Sequence, residues 1–126
     1  MTWALLHDRM AFMADIIEAA EADPEAALEL SGKASEVARL FGDEVGLLLS
    51  LRQRWMMALV AKLDQAEHEG VPAAQARADL EAAQPGLHAL VQIGVRRSSR
   101  VRSVSRSERA AMDLFGEPAS ERQTVA

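Results

Sequence analysis

The chain has no cysteine and only a 4% aromatic content, with two tryptophans, three phenylalanines and no tyrosine. Without cysteine there are no disulfides, no thiolate nucleophile and no thiolate-ligated zinc or iron–sulfur cluster. Glycine (seven) and proline (four) are also scarce, so long helices can run with few breaks. The longest apolar run, Val45 to Leu51, ends at Arg52, far short of the ~20 residues a membrane-crossing helix needs. The first residues carry Asp8, Asp15 and Glu18 and no basic cluster ahead of them, so a secretory or transit peptide is not expected. These absences lead us to expect a soluble, cytoplasmic protein.

Catalytic patterns are missing as well. Neither G-x-S-x-G nor S-x-x-K occurs, and the glycines never cluster into a phosphate-cradling loop. The histidines are His7, His68 and His88; only Asp64 and His68 fall at the i, i+4 spacing of a helical metal pair, with no Glu-x-x-His or His-x-x-His. Their place before Gly70 reads as the solvated, polar end of a helix. The carboxylate pairs Asp43/Glu44 and Glu67/Glu69 are too close in sequence to share a helix face. A non-catalytic protein with no metal or cofactor is the expectation.

What is present favours helix. At 126 residues, 49% hydrophobic and 26% charged, rich in alanine, the chain suits one globular core. Leu6, Met10, Met13, Ile17 and Ala20 recur every three or four residues, with Thr2 as cap. Asp23 and Pro24 open a second helix, which Gly32 interrupts; Gly42 and Asp43 mark the next boundary. From Glu44 to about Glu69, Val45, Leu48, Leu49, Met56, Leu59, Val60 and Leu63 form one broad face. Leu47, Leu51, Trp55 and Met57 lie outside it, which implies either a central helix touched from several sides or one with a subunit contact, and makes these four candidate partner contacts. Met10, Met13, Met56 and Met57 read as core packing or a pliable contact surface. Pro72 starts a further helix, and the Gln84–Gly86 turn separates it from one carrying Leu87, Leu90, Val91 and Ile93. The turn at Gly70 between two helical runs faintly suggests a helix-turn-helix, but Asp79 and Glu81 would face phosphates poorly. The expected fold is an all-α, up-and-down bundle of four to five helices over residues 1–95, followed at 96–126 by an Arg/Ser-rich segment, a short helix (108–115, capped by Ser107) and a tail.

Charge is divided along that boundary. Residues 1–95 hold seven basic and fifteen acidic side chains, a balance of minus eight; residues 96–126 hold seven and four, a balance of plus three. Arg96, Arg97, Arg100, Arg102, Arg106 and Arg109 fall within fourteen positions, interleaved with five serines and no aromatic residue. Guanidinium forks match phosphate oxygens, and without aromatics there is no stacking platform for single strands. If all six neutralised phosphates, affinity would fall roughly a thousandfold between 50 and 200 mM salt. A solvated linker, or a strap across the acidic body, is the competing expectation. Ser98 and Ser99 follow basic residues, and phosphorylation there would cancel positive charge.

Near the end, "AMDLF" (Ala111, Met112, Asp113, Leu114, Phe115) resembles the bacterial sliding-clamp binding peptide, whose pattern is Gln, aliphatic, Ser or Asp, Leu, Phe. Four positions fit and Ala111 replaces the leading Gln. The resemblance implies a protein contact through Met112, Leu114 and Phe115. Taken together, the expected role is a helical adaptor that contacts nucleic acid or a ribonucleoprotein through the arginines and a protein partner or second copy through apolar helix faces. An accessory subunit stabilising a larger assembly through its apolar helix faces is the alternative, followed by a metal protein or enzyme built around His7, His68 and the acidic helix ends.

Overall fold

The computed structural model describes residues 2–116, with side chains described through residue 110. The fold is an all-α helical bundle: α1 (Trp3–Ala22), α2 (Pro24–Ala27), α3 (Ala34–Phe41), α4 (Glu44–Glu69), α5 (Ala73–Ala83), α6 (Pro85–Arg97) and α7 (Ser99–Gly116), with no strand among the described residues. Several boundaries have a local chemical cause. Thr2 Oγ1 accepts from the Leu5 amide at 3.1 Å, Asp23 Oδ1 from Ala26 at 3.1 Å and Asp43 Oδ1 from Gly46 at 2.8 Å, which satisfies amides that the first turns leave orphaned. At the far end of α4, Gly70 closes the helix in the left-handed conformation, with φ at 72°.

Two expected elements differ. The second helix is only Pro24–Ala27, followed by a 3₁₀ turn at Ser31–Lys33 before α3, because Gly32 and the preceding loop do not sustain α geometry. The terminal helix begins at Ser99 rather than at residue 108. Ser98, not Ser107, caps it, accepting from the Val101 amide at 3.2 Å. The arginine run is therefore helical, and α6 passes through Val95 to end at Arg97.

The long helix α4 is the axis of the bundle, with α3, α5, α6 and α7 packed on it and α1 packed on α6. Its buried face is Leu47, Leu48, Leu51, Arg52, Trp55, Leu59 and Ala66, meeting Phe12, Ile16, Leu40, Leu80, Leu87 and Leu90 from the neighbours. Burying side chains of this size stabilises the fold by about 1.5–3 kcal/mol each before entropy is counted. This corrects the expected surface role of Leu47, Leu51 and Trp55: all three are core residues, because α4 is covered from several directions and its buried face is rotated from the one chosen by periodicity. Conversely Val60, expected inside, is exposed. The N-terminus of α6 comes so close to α1 that a Cβ on Gly86 would sit 2.4 Å from the Ile17 carbonyl oxygen. Only glycine allows that approach.

Candidate functional site

α7 has two chemically distinct sides. Val101 is fully buried, and Val104, Ser105 and Glu108 are half-buried, at i, i+3, i+4 and i+7 along the face turned to α4. The buried Arg52 of α4 meets that face: its Nε donates to Ser105 Oγ at 2.6 Å, and its guanidinium pairs with the Glu108 carboxylate. Arg52, Ser105 and Glu108 were not singled out in the sequence. The available signal is a charged residue that ends the apolar run of α4 and lies between Leu51 and Trp55.

The six arginines do not form one patch. Arg96 pairs with Glu25 at 3.3 Å, and Arg97 pairs with Glu25 at 3.3 Å and Glu44 at 3.0 Å while donating to the Leu28 carbonyl. Arg102 donates to the carbonyls of Val95 (3.1 Å) and Arg96 (3.2 Å) and so caps the end of α6. Arg100, Arg106 and Arg109 are exposed and have no ion-pair or hydrogen-bond partner among the described residues. Two of the six arginines are thus spent on carboxylates of the acidic body and a third on the carbonyl end of α6. Ser98 is buried in its capping role, whereas Ser99, Ser103 and Ser107 are exposed.

Beside α7 an open groove of about 800 Å³ runs along the outer side of α4, lined by Leu49, Gln53, Met56, Met57, Val60 and Ala61, with Val104 and Glu108 on the α7 bank. Met57 is 67% exposed and Val60 60%, unusual for apolar side chains mid-helix. Met57 is the one member of the Leu47, Leu51, Trp55 and Met57 set that solvent reaches. A second apolar stripe, Trp3, Leu6 and Met10, is exposed on α1 at i, i+3 and i+7. The sequence assigned Leu6 and Met10 to the buried face. The side chains of Met112, Leu114 and Phe115 lie outside the described residues.

His7 and His68 are exposed, and His88 stacks on Trp55 with ring centroids 5.1 Å apart while facing Glu81 at 3.6 Å. Among the described residues no three His, Asp or Glu side chains converge as a metal site. Nor is any described helix long and apolar enough to cross a membrane. Hydrogen bonding from Ser31, with the Arg97 charge adding to it, holds the Glu29 carboxyl below the usual range.

Comparison with protein-family models, with curated proteins and with solved structures gave no match. The functional reading therefore rests on the geometry of α4 and α7.

Proposed function

We propose that the protein is a non-catalytic helical adaptor whose α7 contacts a polyanion, with duplex nucleic acid as the first candidate. The observation that carries this reading is the set Arg100, Arg106 and Arg109: three guanidinium groups on the solvent side of one helix, unpaired among the described residues in a chain of net charge −5. In so acidic a protein, cations left outward are matched to charge that no described residue supplies. Arg96, Arg97 and Arg102 have intramolecular partners, so they position α7 rather than grip phosphate.

This reading changes the expected salt dependence. Three phosphate contacts give a slope near −2.7 in log affinity against log salt, roughly a fortyfold loss between 50 and 200 mM, in place of the thousandfold loss for six. Fluorescence anisotropy of the full chain on labelled duplex DNA across that range measures it. Replacing Arg100, Arg106 and Arg109 together by alanine should abolish binding while leaving helix content intact. Absence of binding at low salt, or binding that survives the triple replacement, overturns the proposal. The exposed Trp3, Leu6 and Met10 stripe supports a second reading, an accessory subunit that docks α1 on a larger assembly.

A further inference from the structure

We infer that the groove face of α4 is a self-association surface, occupied by the same face of a second copy packed antiparallel about a two-fold axis. Six groove residues carry the argument: Gln53, Met56, Met57, Val60, Ala61 and Asp64. They are arranged symmetrically about the midpoint between residues 58 and 59. In an antiparallel pair centred there, Met57 meets Val60 of the second copy, Met56 meets its Ala61, and Gln53 meets its Asp64. A two-fold interface requires this self-complementarity, because each contact must occur twice with the roles exchanged.

The chemistry follows the same order. The four central residues are apolar, and the exposed Met57 and Val60 are the pair that would cover each other. At each end the Gln53 amide can donate to the Asp64 carboxylate of the second copy. Within the chain, neither Gln53 nor Asp64 has a hydrogen-bond or ion-pair partner among the described residues. A parallel pairing would instead set Asp64 against Asp64, with like charges facing each other. The face runs over twelve residues, about 16 Å of helix from Gln53 to Asp64, too short to bury the roughly 800 Å² per partner of a standard stable interface. The dimer should therefore be dependent on concentration rather than permanent. Methionine suits such a surface, since its unbranched side chain repacks at low cost.

Sedimentation equilibrium of the full chain, without nucleic acid, tests the inference separately from the polyanion reading. A monomer–dimer equilibrium is expected, and Met57→Glu with Val60→Glu should leave only monomer. Both side chains are exposed, so circular dichroism should show an unchanged helix. As a check that does not depend on that variant folding, Gln53→Glu should weaken the dimer by facing Asp64, and adding Asp64→Lys should restore it. The chain has no cysteine, so orientation can be read by crosslinking: Met57→Cys mixed with Val60→Cys should form the mixed disulfide in preference to either self-pair. A chain that stays monomeric at every concentration, a dimer indifferent to these substitutions, or preferential 57–57 crosslinking would overturn the inference.

Discussion

α4 and α7 are both long helices packed on the same bundle, yet different forces hold them. α4 is fixed by Leu47, Leu48, Leu51, Trp55 and Leu59, whose burial is non-directional and insensitive to salt. Among the described side chains of α7, Val101 is fully buried and Val104 half-buried, while Arg52 holds Ser105 and Glu108 and Arg97 and Arg102 anchor the α6–α7 junction. These directional, partly charged contacts lose strength when a partner is removed or when salt screens the exposed ones. α4 is built as an axis, and α7 as a strap that is ordered by polar contacts while presenting arginines outward.

The comparison can be broken in four ways. The largest effect should come from Leu51→Ala, which empties space at the centre of the core and should cost about 2–5 kcal/mol. Chemical denaturation would show one transition shifted for the whole molecule, because α7 cannot stay docked without its axis. Arg52→Leu should cost less, about 1–3 kcal/mol, since it removes charge-assisted hydrogen bonds whose other partner, Glu108, keeps a 40% exposed side chain. Hydrogen exchange should accelerate in α7 and not in α4; equal acceleration in both would dissolve the distinction.

Arg97→Ala should cost about 1 kcal/mol or less, as its partners Glu25 and Glu44 are largely exposed. Its difference from the parent in thermal unfolding should shrink as salt is added. Glu29 gives the smallest effect. Its carboxyl is held below the ordinary range, so the stabilisation is present above the unfolded-state pKa and is lost as pH falls through the lowered folded-state value. A carbon-detected NMR titration should place its midpoint below the ordinary glutamate value, and Ser31→Ala should move it upward.

Much of the local architecture was legible because its causes are local. Thr2, Asp23 and Asp43 were readable as caps, and Gly42 and Gly70 as stops, from residue type and spacing alone. The face of α4 was not legible. Apolar residues lie all round that helix, so periodicity had no single answer, and packing from α3, α5, α6 and α7 decided which would be covered. For the same reason Leu47, Leu51 and Trp55 went inside while Met57 and Val60 stayed out. The arginine segment misled in another way: its charge suggested a separate linker or short helix, whereas Val101 and the Ser98 cap make it one helix from Ser99.

The sequence by itself determined that this chain is helical, where most helices begin and end, and that its positive charge gathers late, since propensity, capping and composition act over a few residues. Only the tertiary structure decided which arginines are spent on partners among the described residues. That depended on Glu25, Glu44 and the carbonyls of Leu28, Val95 and Arg96 being brought within about 3 Å of Arg96, Arg97 and Arg102. Several of those meetings join residues some fifty to seventy positions apart, a separation that only folding the chain back on itself can close.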